Sequence, residues 1–498
     1  MADEQPPLSD STEPAAKATV PAFAPGPEPL TTEVAEEAEA AAPAVIRKGA
    51  VDLTQGHLLR GIWLLSWPIV TGSVLNWLMG VADIKMVGQL GPEAIAAVGQ
   101  SQNVMFLVMA LVLAVATGTQ VLVARHTGAR EPDKAAEVAR QTILMCVAAG
   151  LIITPVGLLV SRGALQLLGA TGEALDLGSV YMRICFWGAI GMNANFLLTS
   201  ALQGAGDTRT PLKLLIWMNV LHIGIEWALI FGIGPFPALG VAGAAWAVVI
   251  SRLITAGWMV WIITCGRYAI TVPLRGSWRP DWAIWGRMLY IGVPSSLQGL
   301  TRSLGYAVLV YVLNHTDAGV LAVTGHTEAG QWNALGIFAG LAMMTAAMTA
   351  VSQNMGARNP ARAEQSCYQV ARISLTMSSV LAGLCIVFAT PLIAFFTDDL
   401  QARHWGVWAL VIISASQPFA TLSMAFSGGL RGAGDTLSPL WATVVCTLVI
   451  GPVLGYVLAL NLGMGPVGAW LGLVAAMVSQ AAITWAIFRR GRWKSIGW

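Results

Sequence analysis

Two acids stand where their surroundings are almost wholly apolar. Asp83 falls in Val81-Ala82-Asp83-Ile84-Lys85-Met86-Val87-Gly88, inside the first long hydrophobic run and 15 residues after Pro68. Glu226 falls in a later run, four residues after His222 and seven after Asn219. Spacings of three and four put Asn219, His222 and Glu226 on one helix face as a polar stripe. A carboxylate at bilayer depth costs at least about 2.5–3.5 kcal/mol and is a functional candidate by default. The chemistry open to such a group is reversible uptake of a proton or a small cation. Asp83 precedes Gly88 by five residues and Glu226 precedes Gly232 by six, so both lie about 8–9 Å below corresponding helix ends at the usual rise. Asn76 is seven residues before Asp83, on its face. The plainer accounts are hydration of Asp83 near its helix end, pairing with Lys85, and a merely structural cluster around Glu226. Residues two apart point to nearly opposite sides of a helix, so the Lys85 pair is weak.

The elements that must hold these residues follow from hydropathy. Hydrophobic residues make up 56% of the 498 and charged residues 11%, against about 25% charged in soluble domains. A single soluble core does not grow to this size, and apolar stretches long enough to cross a bilayer recur along the chain. They are too long, and alternate too little, for a β-barrel. The pattern predicts helices over 60–86, 95–123, 141–160, 177–202, 212–232 and 240–265, then 285–313, 320–352, 371–396, 405–429, 439–460 and 466–488. The expected fold is an all-α membrane protein of about twelve transmembrane helices.

The chain repeats itself. Leu202-Gln203-Gly204-Ala205-Gly206-Asp207-Thr208-Arg209-Thr210-Pro211-Leu212 returns as Leu430-Arg431-Gly432-Ala433-Gly434-Asp435-Thr436-Leu437-Ser438-Pro439-Leu440, offset by 228. Gly128-Ala129-Arg130 and Pro132 return as Gly356-Ala357-Arg358 and Pro360 at the same offset. Two unrelated motifs sharing one spacing mark a duplication. An even number of helices in each copy predicts two six-helix lobes related by a pseudo-two-fold axis along the membrane normal: an N-lobe over 51–275 and a C-lobe over 276–498. Basic residues crowd alternate loops (Arg125, Arg130, Lys134 and Arg140; Arg209 and Lys213; Arg267, Arg275, Arg279 and Arg287; Arg358, Arg362 and Arg372), and the C-terminal end carries Arg489, Arg490, Arg492 and Lys494. The intervening loops carry Glu93, Glu173, Asp317, Asp398 and Asp399. The positive-inside rule then predicts a multi-pass plasma (inner) membrane protein with both termini cytoplasmic. Tryptophans near segment ends (Trp63, Trp278, Trp282, Trp285, Trp498) fit interfacial anchors.

Residues 1–50 hold nine acids against Lys17, Arg47 and Lys48 and few bulky apolar residues. They read as a disordered cytoplasmic tail and lack the pattern of a signal peptide. The six cysteines are scattered, mostly in apolar runs and without a C-x-x-C pair, so neither zinc nor a disulfide framework is indicated. The two Gly-Ala-Gly-Asp loops resemble an intramembrane aspartyl protease signature, but no Tyr-Asp dipeptide supplies the second acid. Their plainer role is to end one helix and cap the next. No G-x-x-x-x-G-K sequence points to ATP, and no H-E-x-x-H or G-x-S-x-G points to hydrolysis. Arg252 and Arg302 are candidates for neutralising acids or for helix contacts. His326 and Glu328 are weaker candidates for a second-half cavity, and Asn76, Gln298, Arg302 and Gln331 are expected cavity-lining residues. Met343, Met344 and Met348 read as packing.

These residues together resemble the multidrug and toxic compound extrusion family of secondary transporters. The resemblance is carried by Pro68, by Asp83 followed by Val87-Gly88 and Leu90-Gly91, by Gly128-Ala129-Arg130, by the Gly-Ala-Gly-Asp-Thr loops, by Gly240-Val241-Ala242-Gly243-Ala244-Ala245, and by Gln353-Asn354 with Gly356-Ala357. It covers residues 55 to 490 and implies two lobes around a V-shaped cavity, with substrate expelled in exchange for H⁺ or Na⁺. It is similar to the bacterial branch with an acid on helix one, in which that acid pairs with Asn-x-x-x-Asp on helix five. Asp83 matches the first position, whereas His222 and Glu226 replace the Asn and Asp of the second. Another branch carries a glutamate eight residues after the helix-seven proline, where this chain has Arg302. Coupling is therefore expected at Asp83, Glu226, His222 and Asn219, and histidine beside glutamate suits a proton better than an all-oxygen Na⁺ shell.

The expected activity is antiport of a cationic or amphipathic small molecule by alternating access, the acid pair binding protons when open outward and regaining charge when facing inward. Pro68 and Gly80 would let helix one bend. The alternatives are a flippase of lipid-linked precursors from the same wider superfamily, whose cavities are cationic, and a channel. No catalytic residue, metal or cofactor is expected beyond the coupling ion. The expected partners are the small-molecule substrate and membrane lipid, not nucleic acid, with the chain working as a monomer.

Overall fold

A computed structural model of the protein describes residues 50–496 apart from 233, 235, 267, 274–276 and 398. The tail expected over 1–50 lies, but for its last residue, outside the described residues, as do Arg267, Arg275, Asp398 and Trp498. What is described is helical, with no strand. The first set of helices is α1 (Leu58–Gly88), α2 (Pro92–Gly128), α3 (Pro132–Leu167), α4 in two pieces (Gly172–Trp187 and Ala189–Gly204), α5 (Arg209–Phe231) and α6 (Val241–Thr264). The second set is α7 (Trp282–Asn314), α8 (Gly319–Gly356), α9 (Pro360–Val387), α10 (Leu400–Ala433), α11 (Leu437–Asn461) and α12 (Gly465–Arg489). Ten of these are long and apolar enough to cross a membrane, and eleven if the two pieces of α4 form one span. The remaining helix, α7, has 33 residues; polar residues such as Gln298 and Arg302 hold its hydropathy below that of its neighbours. Leu111 and Leu159, 65% and 83% exposed, belong to the apolar outer surface that lipid must cover.

Several boundaries differ from the hydropathy pattern for identifiable reasons. Helix α3 starts at Pro132, not near 141, because its first turns carry Asp133, Lys134, Glu137 and Arg140 and extend beyond the apolar stretch. Pro360 likewise opens α9 ahead of the apolar run, and each proline sits in the first turn, where a missing N–H costs nothing. The run over 177–202 is broken at Gly188, where the two pieces of α4 meet at 57°. A methyl at Gly188 would stand 2.5 Å from Val249 Cγ2, so only glycine lets α6 come this close. Helix α11 is widened by π turns at Val445–Ile450 and Val457–Asn461, on either side of Gly451-Pro452.

The duplication read from the sequence is also a duplication of contacts. A Cβ on Gly204 would lie 2.6 Å from the Gln120 oxygen, and one on Gly432 would lie 2.5 Å from the Met348 oxygen. Each residue of the second pair is displaced from the first by 228. The two copies of the loop motif behave alike. The Thr210 amide donates to Asp207 Oδ1 and the Ser438 amide to Asp435 Oδ1, both at 3.0 Å. Arg130 and Arg358 both take the left-handed conformation, with φ of 58° and 55°.

At the middle, α2 and α8 pack on one another, α2 also meets α7, and α8 also meets α1. The α2–α8 crossing is reciprocal. A methyl on Gly128 would overlap the Gln353 carbonyl, and a methyl on Gly356 would overlap the Arg125 carbonyl. Small residues allow this backbone approach, the usual device of helix pairs in membranes. Beside the crossing, the Gln353 side chain accepts from the Leu53 amide and donates to the Gly204 carbonyl, at 3.3 and 3.2 Å. Arg362 donates to the carbonyls of Leu53, Gln55 and Gly56, fastening the segment ahead of α1.

Candidate functional site

Helix α5 begins after the Asp207 cap and ends at Gly232, whose φ of 72° stops it. Between these ends, Asn219, His222 and Glu226 fall on its buried face. Helix α1 passes against that face. A Cβ on Gly72 would stand 3.2 Å from Leu215 Cδ2, so the two helices are already close near Pro68. Further along α1, Asp83 meets the stripe. His222 Nε2 lies 3.3 Å from Asp83 Oδ1 and 3.5 Å from Glu226 Oε2. One ligand atom from each of the three residues falls within 4.8 Å of the other two. His222 Nδ1 faces Ser251 Oγ on α6 at 3.2 Å, while Ser251 donates to the Val248 carbonyl. The histidine is thereby fixed at both nitrogens and spans three helices.

The cluster is dry on one side and reachable on the other. The Glu226 side chain is 2% exposed and that of Asp83 22%. Among the described residues, Asn219 Oδ1 is buried without a hydrogen-bond partner, and Glu226 Oε2 has only the 3.5 Å approach of His222. A buried acceptor left alone is costly unless it carries a proton or meets a cation. By position the three residues could close on either, and their nitrogen-containing donor set departs from the all-oxygen shell of a hard cation.

The other expected residues go elsewhere. Asn76 is exposed on α1, about two turns before Asp83. Arg302 and Gln331 line a cavity of about 510 Å³ among α7, α8, α10, α11 and α12, as does His326. Gln298 is buried and accepts from Arg431 Nη2 at 2.6 Å. Glu328 packs towards Gly406 on α10. Arg252 forms no ion pair with either acid among the described residues. Met343, Met344 and Met348 are buried packing residues.

A MatE family model matches residues 68–228 and again 294–457. The chain belongs to the MatE family. The probable multidrug resistance protein NorM of Thermotoga maritima is 27% identical over 86% of this chain and 92% of its own length. The FAD transporter of Shewanella oneidensis is 25% identical over 88% of this chain and 93% of its own. Among solved structures, the outward-facing conformation of a multidrug resistance MATE family transporter of the MOP superfamily is 27% identical. It covers 90% of this chain and 99% of its own, with a TM-score of 0.83. MatE relatives are named as transporters, and this chain is a multi-pass membrane transporter, not an enzyme.

Two residues beside the cluster in this MatE chain have little or no signal in the sequence. Ser251 joins through α6, and its only local signal was a polar Ser251-Arg252 pair inside an apolar run. Tyr181 on α4 is buried in one apolar cluster with Val87 of α1, Ile230 of α5 and Ala244 of α6, the three helices that carry the cluster. Nothing in its own neighbourhood of sequence marks it.

Proposed function

We propose that this chain is a secondary antiporter that exports cationic or amphipathic small molecules in exchange for H⁺, with Asp83, His222 and Glu226 as the coupling group. The observation that carries this reading is the contact of His222 with both carboxylates, one partly exposed and one buried. Two carboxylates within reach of one imidazole give a proton several acceptors in one place. With a proton taken up, the cluster loses negative charge and its hold on a cation; with the proton released, that hold returns. Pro68 lies inside α1 between the cluster and the helix start, so a change of charge at Asp83 has a bend point through which to reposition the helix.

Exchange coupled to Na⁺ is the second reading, favoured by the convergence of three possible ligand atoms. The imidazole nitrogen weighs against it. The expected six-helix lobes over 51–275 and 276–498 would rock against each other about the α2–α8 crossing. The adjoining basic turns at Arg130 and Arg358 would face the cytoplasm, as would both termini, in the plasma (inner) membrane. One chain contains both lobes, and we take the monomer as the working unit.

The test is ethidium efflux in everted vesicles with H⁺ and Na⁺ gradients imposed separately. Wild-type efflux should follow the proton gradient, and Asp83→Asn should lose at least about tenfold of that rate. Undiminished proton-driven efflux by Asp83→Asn would refute the coupling assignment.

A further inference from the structure

The cavity among the second set of helices has a polarity opposite to that of the Asp83 site. Arg302 lines it, and among the described residues this guanidinium makes no hydrogen bond or ion pair with the protein. Among the described residues, no aspartate or glutamate lines the cavity. Glu328, from the same stretch of α8 as the lining residues His326, Thr327 and Gln331, packs towards Gly406 instead. One turn before Arg302, Gln298 holds Arg431, a second buried cation whose Nε has no partner. Both sets carry the same helices, but the acids do not recur. Counting from Pro68 and from Pro294, Asp83 corresponds to Leu309, which faces the cavity, and Asn76 corresponds to Arg302.

A guanidinium without a counter-ion in an apolar enclosure is electrostatically unfavourable and draws an anion. The enclosure is otherwise built for an apolar body, with Leu309, Ile337, Ile413, Met424 and Met477 in its wall. Its volume of about 510 Å³ is in the range that takes a drug-sized molecule. Gln417 donates to the Asn333 carbonyl and Gln480 to Thr443, and Arg302 is the permanently charged side chain among the lining residues.

We propose that this cavity is a binding site for amphipathic organic anions, in which Arg302 pairs with the carboxylate of the solute. The site lies apart from the coupling cluster and extends the substrate range beyond cations. A zwitterion satisfies it as well as a simple anion, provided that its carboxylate is free.

The test uses the full chain in detergent or nanodiscs, without an ion gradient, and two fluorescent probes of one shape: 1-pyrenebutyrate and its neutral amide. The wild-type protein should bind the acid about tenfold more tightly than the amide, the worth of a charge-assisted pair. Arg302→Gln should lose this preference with little change for the amide, and Arg302→Lys should keep part of it. Equal binding of acid and amide by the wild type overturns the proposal, as does a preference that survives in Arg302→Gln. The wild-type comparison decides the matter even if a variant fails to fold. Because no gradient is imposed, the result is independent of whether Asp83→Asn abolishes ethidium efflux.

Discussion

His222 on α5 reaches Asp83 on α1, Nε2 to Oδ1 at 3.3 Å, while its other ring nitrogen meets Ser251 on α6. An imidazole fixed in this way ties three helices together at one polar contact. On the proposed reading, a proton gained or lost there would change the attraction among all three.

His222→Gln keeps a side chain able to hydrogen-bond to Asp83 and Ser251 but removes the proton-accepting ring. Proton-driven ethidium efflux should fall about tenfold or more, with an altered pH profile. The comparison is made on vesicles of matched protein content over a series of external pH values. An unchanged rate and profile would leave His222 a structural residue only.

Gly128→Ala drives a methyl into the Gln353 carbonyl at the α2–α8 crossing. Overpacking of this kind costs about 1–3 kcal/mol, and Gly356→Ala should cost a similar amount through Arg125. Thermal unfolding of the purified protein should show a lower Tm for each. Gly224→Ala provides the contrast, because a Cβ there meets nothing within 4 Å, and its Tm should match the wild type.

Asp207 gives a pH-dependent stability difference. Burial pushes its carboxyl up from the ordinary aspartate range, opposed by hydrogen bonds from Thr210 and the Arg209 amide. An acid whose folded pKa is raised binds its proton more readily folded than unfolded, so its contribution to stability falls as pH rises through that window. Asp207→Asn keeps an acceptor for the Thr210 amide without the charge. The wild type should therefore gain stability relative to Asp207→Asn as pH falls from neutral towards about 4. Asp207→Ala, which loses the acceptor, should cost about 0.5–2 kcal/mol. Unfolding curves at several pH values check both.

Much of this architecture was legible because its signals are local or periodic. The stripe Asn219, His222 and Glu226 follows from helical spacing alone, and one offset shared by two motifs exposed the duplication. Other features depend on how helices face one another, which spacing along one helix does not encode. Ser251 meets His222 from α6, Tyr181 packs from α4 against the helices that carry the acids, and Gln298 finds Arg431 from 133 residues away. The charged first turns of α3 and α9 were hidden because hydropathy finds the membrane-embedded part of a helix, not its full length. The break at Gly188 was missed because an apolar run is silent about direction.

The reciprocal contact of Gly128 with Gln353 and Gly356 with Arg125 bears on ancestry. Each glycine occupies in its own copy the place that the other occupies in the second, so one surface serves as both sides of the seam. Two separate chains of half this length could meet through that surface before any fusion joined them. Joining two such halves would call for no new interface, only a connecting loop.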